Sequence, residues 1–319
     1  MKSRWMYNVC AAVLTVVLTA CSESRRPLLP DSSGRAYEVL IASDDTVAAN
    51  FVDSVLSTDC EGLPQREPRF DVVKAGTATL NATTQMARSI IVVNTADSGD
   101  TTTTIRYEKD VYASPQIVVL VSAHSANELR RELQGQMAER LCRLIENHEM
   151  TAERKRLAKN GDAWAQRQAD SLLHVKMLIP KELARHKRGI DFIWLSNDAP
   201  QAMRNICLYS YPGVSLRPEE LTARRDSIMQ KNMPGEHDGM YMKTAQTAAV
   251  RQEQGRLVVT GLWEMHGDMM GGPFVAHAIV DSSRQRIVVA EGFAYAPEQQ
   301  KRNIMRQLEA ALYTLSINQ

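Results

Sequence analysis

The chain has 319 residues, 44% of them hydrophobic and 24% charged. That length builds one large domain or two smaller ones. With 38 Lys and Arg against 37 Asp and Glu, the net charge of +1 excludes binding to nucleic acid or an acidic polymer through global charge.

Lys2 and Arg4 precede an apolar run over 9–20 broken only by Thr15 and Thr19. A membrane-spanning helix needs about 20 apolar residues, so this shorter run reads as the core of a signal peptide. It ends in Leu18-Thr19-Ala20-Cys21, which resembles the lipobox of bacterial lipoproteins. Small residues before the cut let a peptidase approach the backbone, and the Cys21 thiol carries diacylglycerol. The expectation is removal of 1–20 and a palmitate-type acylated Cys21. Each buried CH2 adds about 0.8 kcal/mol, so several chains hold the protein firmly. Ser22 rather than Asp follows the cysteine, which by resemblance to lipoprotein sorting rules fits an outer-membrane anchor facing the periplasm. Loss of Lys2 and Arg4 with no acid leaves a mature net charge of −1.

Residues 21–34, polar with Pro27, Pro30 and Gly34, read as the tether. Beyond Cys21 the cysteines are Cys60, Cys142 and Cys207, an odd number that allows at most one internal disulfide. Free thiols acting as small hydrophobes are expected, with Cys142 buried in a helix. Their spacing matches no structural zinc site.

The first half, 35–150, opens with a strand over 35–43, then a helix capped by Asp44 or Asp45 and carrying Val47, Phe51, Val55 and Leu56. Strands follow over 70–74, 89–94, 105–107 and 116–122. The continuous apolar runs Ile90–Val93 and Ile117–Val121 belong in the sheet centre. Ser125-Ala126-Asn127-Glu128 is a capping box before a helix carrying Leu129, Leu133, Met137 and Leu141. Residues 151–189 read as a basic helical connector with Arg154, Lys155, Arg156, Lys159, Arg185, Lys187 and Arg188, broken at Asn160-Gly161-Asp162. This stretch is either a patch for anionic headgroups, a glycan or a partner, or a solvated helix face; the lack of interleaved aromatics favours the latter.

The second half, 190–319, begins with strands over 190–195 and 204–211 and a helix entered through Pro218, Glu219 and Glu220. Four antiparallel strands are predicted over 240–251, 256–266, 273–281 and 286–295, with turns at Gly255, Met270-Gly271-Gly272 and Ser282-Ser283. A last helix begins at Pro297, and its Ile304, Leu308, Leu312 and Leu315 form one apolar stripe. The fold class is therefore α+β: two α/β-sandwich-like halves joined by the helical connector, the second an antiparallel four-stranded meander covered by the C-terminal helix. Ser43-Asp44-Asp45 and Ser196-Asn197-Asp198, each after a strand, hint at duplication.

The most distinctive stretch is Gly261-Leu262-Trp263-Glu264-Met265-His266-Gly267-Asp268-Met269-Met270-Gly271-Gly272-Pro273-Phe274, with Glu291-Gly292-Phe293-Ala294-Tyr295-Ala296-Pro297 later. In these segments the chain resembles an uncharacterised family of bacterial envelope lipoproteins, a domain of unknown function. The resemblance implies an envelope lipoprotein and carries no catalytic residue or cofactor. Strand alternation places Glu264, His266 and Asp268 on one face, and an even-length loop brings His277 to that face. A two-residue Gly271-Gly272 turn sets His266 opposite His277; since Pro273 has no N–H to close it, a four-residue loop pairing Glu264 with His277 is the alternative.

Glu264, His266, Asp268 and His277 are thus the catalytic candidates, able together to bind a divalent metal or run acid/base chemistry. The plainer reading is a water-facing sheet surface, because the C-terminal helix needs only the other face. No G-x-S-x-G, phosphate loop, H-E-x-x-H or C-x-x-C is present. The expected function is therefore a lipid-anchored envelope protein that binds or assembles rather than catalyses, held to the membrane by its N-terminal lipid. Its partner is an unspecified protein, peptide or glycan and not nucleic acid, with no metal or cofactor. The alternative is a metal-dependent or acid/base hydrolase centred on Glu264, His266 and His277.

Overall fold

Apolar runs of two kinds build two different sheets. The computed structural model describes residues 28–95 and 102–318. In the first half, β1 (Glu38–Ala42), β2 (Asp71–Ala75), β3 (Ser89–Asn94) and β5 (Ile117–Ser122) are parallel, with β4 (Thr104–Lys109) antiparallel at one edge. The order is β2-β1-β3-β5-β4. The two runs rich in Ile and Val are β3 and β5, side by side in the interior. Helix α1 (Thr46–Leu56) is capped by Asp45, whose carboxylate accepts the N–H groups of Val47 and Ala48. With α2 (Ala126–Glu132) and α3 (Gly135–Asn160) it covers the face that carries Val39, Ile41, Ile91 and Val119.

The second half is antiparallel throughout, because its strands alternate or are joined by short turns. Strands β7 (Arg185–Arg188), β8 (Phe192–Ser196), β9 (Met203–Pro212), β10 (Tyr241–Glu253), β11 (Arg256–His266), β12 (Gly271–Asp281) and β13 (Arg286–Tyr295) form one sheet in the order β10-β11-β12-β13-β9-β8-β7. This corrects the expected four-stranded meander: its strands are consecutive in the sheet, but β13 pairs onward with β9 and extends it to seven. The sheets also differ in kind, parallel against antiparallel, so the repeated Ser-Asp motif marks no duplicated fold.

Both faces of the larger sheet are covered. Helix α4 (Ala163–Leu173) and helix α6 (Arg302–Leu312) bury Ala165, Ala169, Leu173, Ile304, Leu308 and Leu312 against Val258, Val275 and Ala290. Helix α5 (Pro218–Asn232) buries Leu221 and Met229 on the opposite face with Trp263, Phe274 and Phe293. A two-stranded pair, β6 (Val175–Lys176) with β14 (Ser316–Ile317), ties the chain end to the segment after α4.

Residues 151–189 therefore comprise the last turns of α3, all of α4 and β6, and the edge strand β7. The four side chains of β7, Arg185, His186, Lys187 and Arg188, are all exposed, as suits a charged edge that resists further strand pairing.

The halves meet at the N-terminus of α6. Buried Glu67 accepts the backbone N–H of Lys301 (2.7 Å) and Arg302 (2.9 Å), placing a carboxylate where the helix dipole is positive. Arg302 bonds the Pro68 carbonyl and Asp71. One turn on, the Arg306 guanidinium lies 4.2 Å from the centre of the Tyr37 ring and donates to the Arg69 carbonyl and Glu146. Among the described residues no helix is long and apolar enough to cross a membrane. Cys60, Cys142 and Cys207 are free thiols, the last two buried.

Candidate functional site

The hairpin between β11 and β12 decides what the four candidate residues can do together. Glu264 pairs with Gly271, and Val258 pairs with His277. His277 does share the side of the sheet that Glu264 faces, as alternation requires. It stands six residues farther along, about 20 Å at the rise of an extended strand. Neither expected pairing forms. Gly271 and Gly272 are strand residues, not the turn. A Cβ at Gly272 would sit 2.1 Å from the Ala294 carbonyl oxygen, so glycine permits close approach of β13. The reversal occurs earlier, at Gly267 with φ +88°, and closes through the Met265 N–H to the Met270 carbonyl.

Three candidates end in separate local contacts. Glu264 is bonded to Lys243 across the neighbouring strand at 3.0 Å. Exposed His266 packs its ring 5.1 Å from Tyr241, and Asp268 accepts the Met269 N–H within the turn. Among the described residues no group of three or more His, Cys, Asp and Glu side chains is placed to hold a metal.

His277 contradicts the expectation of a water-facing surface. It is fully buried under α6, the helix expected to need only the other face. Its Nε2 lies 3.5 Å from Glu309 Oε1, its Nδ1 lies 3.4 Å from Arg256 Nη1, and its ring meets Tyr313 edge-on at 4.5 Å. The Arg256 donor places the acceptor at Nδ1, which puts the proton of the neutral ring on Nε2, facing Glu309. Burial pushes the His277 pKa down, with the Arg256 and Arg251 charges adding to this against the pull of Glu309. For Glu309, burial raises the pKa, but the His277 ring 3.5 Å away and the Arg251 and Arg306 charges bring it below the ordinary value. Arg256 itself donates to the carbonyls of Leu312 and Leu315, capping the end of α6. The centre is a neutral imidazole locked into a helix-capping network, beneath a helix that bars substrate from the ring.

A second buried centre lies on the opposite face, with no motif to mark it. Glu291 and Arg225 are both buried, 66 residues apart in the chain, and meet through Arg225 Nη2–Glu291 Oε1 at 2.7 Å and Nε–Oε2 at 3.0 Å. The Tyr209 hydroxyl donates to Glu291, and the guanidinium lies 4.1 Å from the centre of the Phe274 ring. Burial pushes the Glu291 carboxyl up, opposed by Arg225. Glu291 had drawn notice only as part of the distinctive Glu291–Pro297 segment. Arg225 lies on a helix whose composition reads as solvated, and no pattern in the chain links the two.

Family comparisons divide the molecule at the end of α3. Residues 32–158 match the family model of a domain of unknown function, DUF8532, and residues 162–314 match that of another, DUF4837. The chain carries both of these uncharacterised domains. The DUF8532 region holds the parallel sheet and α3, and the DUF4837 region holds α4 and the seven-stranded sheet. No curated protein matches. Among solved structures, the Saccharomyces cerevisiae Ran-binding protein Mog1p is 12% identical, with a TM-score of 0.32 over 46% of this chain and 90% of its own. A Mog1 point mutant is 11% identical, with a TM-score of 0.29 over 45% and 90%. Likeness of that degree carries no argument about fold or function.

Proposed function

We propose that this protein is a lipid-anchored component of the bacterial cell envelope, in which the DUF8532 and DUF4837 domains bind a protein, peptide or glycan partner and turn over no substrate at the β11–β12 hairpin. The observation that carries the binding reading is the hairpin register. It leaves Glu264 about 20 Å from His277, and His266 and Asp268 farther still, beyond the few ångströms that proton transfer or a shared ion requires. The anchor rests on Leu18-Thr19-Ala20-Cys21, and Cys21 lies outside the described residues. With the lipid in the outer membrane and a mature net charge of −1, the partner is recognised by local surface rather than by global charge.

The test is site-specific photo-crosslinking in intact cells from exposed positions on both domains, including Val73, Tyr107, Trp164 and Ile190. A discrete adduct from one contiguous set of positions supports the reading. It fails if no position gives an adduct and the purified protein shows a hydrolytic activity that Glu264→Gln or His277→Gln abolishes.

A further inference from the structure

We propose that the DUF8532 domain holds a site for a small zwitterion of the amino-acid class, in a cavity between its sheet and the β2–β3 crossover. Sheets built mainly of parallel strands ordinarily have helices on both faces. Here α1, α2 and α3 cover one face only. The crossover over residues 76–88 passes the other face with no more than two short 3-10 turns, Thr77–Thr79 and Thr84–Met86. That thin cover leaves a cavity of about 150 Å3, a size that admits a benzene-scale molecule.

The cavity wall has three kinds of chemistry. Leu40, Val73 and Ala87 supply apolar surface, Ser33 and Thr84 supply hydroxyls, and Glu38 and Arg88 supply opposite charges. Glu38 lies on β1 two residues before Leu40, and Arg88 immediately precedes β3, its N–H bonded to the Ser33 carbonyl. The two are nevertheless turned to other partners. Arg88 is held by buried Glu149 through Nη2–Oε2 at 2.6 Å and Nε–Oε1 at 3.2 Å. Its Nη1 has no hydrogen-bond partner among the described residues. Among the described residues Glu38 is paired with Arg35, an exposed side chain, at 3.4 Å.

Glu149 thus fixes a guanidinium on the wall with one donor group unused. The fork geometry of arginine suits a carboxylate. A ligand carboxylate on Arg88 and an ammonium on Glu38 complete both groups, while Leu40, Val73 and Ala87 take a short apolar side chain. A ligand bearing only one of the two charges forgoes one of the two charge-assisted contacts, which costs affinity. The proposal stands whether or not the chain is lipid-anchored, and it lies in a different domain from the His277 centre.

The experiment is calorimetric titration of the full-length protein with alanine, valine and leucine, beside isovalerate and isobutylamine, which are valine lacking one charge each. At least one amino acid binds, and the corresponding one-charge analogues bind about tenfold or more weakly, the loss expected for one charged hydrogen bond. Glu38→Gln alters a partly exposed side chain and leaves the core intact; it lowers amino-acid affinity about tenfold or more without weakening isovalerate. Ala87→Leu fills the cavity and abolishes binding. Unfolding midpoints establish that each variant is folded. Three results overturn the proposal: no amino acid binding to the folded wild type, binding unchanged in both variants, or isovalerate binding as tightly as valine.

Discussion

At the residue scale, the molecule depends on charged and titratable groups held out of water. The Arg225–Glu291 pair is the clearest. Removing one partner of a buried pair strands the other, a loss of about 3–5 kcal/mol, whereas replacing both with apolar residues of similar volume costs far less. Chemical denaturation is therefore expected to show Arg225→Met as severely destabilised and Arg225→Met/Glu291→Met as closer to wild type. Equal losses in the single and double variants contradict this. His277 gives a pH prediction with a fixed sign. Its folded pKa lies below the ordinary 6.5, so the unfolded chain takes up the proton more readily. The stability it contributes is present above 6.5 and is lost as pH falls through the folded value. His148, also lowered chiefly by burial, acts in the same direction. Urea unfolding at about pH 7.5 and about pH 5.5 should show a loss on acidification that is smaller in His277→Gln. An identical loss in that variant removes His277 from the account.

Among the elements, strands were more legible than their register. Turn residues between apolar segments located β11, β12 and β13, and the stripe of α6 located the helix that packs on them. Turn chemistry then misplaced the hairpin, because Gly271-Gly272 has the composition of a turn while its real demand is space beside Ala294. The only glycine of this hairpin with positive φ is Gly267, and a sequence does not display that difference. Strand β7 was hidden because Arg185-His186-Lys187-Arg188 has the charge of a solvated linker, which an edge strand also tolerates. Helix α5 concealed the second covered face of the sheet because it inserts only Leu221, Arg225 and Met229. The glycine argument makes its own prediction. Gly272→Ala must move a backbone carbonyl and should cost about 2 kcal/mol or more in thermal or urea unfolding. Gly76→Ala, with its nearest neighbour at an ordinary 3.4 Å, should change stability by less than about 0.5 kcal/mol. Similar costs at the two positions contradict the close-approach explanation.

For the whole molecule, two domains with their own cores act through one charged seam. Long-range partners such as Glu67 with the α6 N-terminus, or Arg306 with Tyr37, lie more than 200 residues apart and could not be read from the chain. Glu67→Ala removes two charge-assisted bonds to backbone N–H groups, worth about 2–4 kcal/mol together. Calorimetry should show a lowered and split unfolding transition; a single transition at the wild-type midpoint shows that Glu67 does not couple the domains. The envelope reading belongs to this scale as well, since it says where both domains work. Its most direct test is the state of Cys21 in cells. Wild type and Cys21→Ala are expressed, membrane and soluble fractions separated, and the N-terminal peptide weighed by mass spectrometry. The account predicts a diacylglycerol-modified, acylated Cys21 at the N-terminus of membrane-bound wild type, and an unanchored Cys21→Ala protein. A processed Cys21→Ala chain that still sediments with membranes, or an unmodified Cys21 in the wild type, contradicts it.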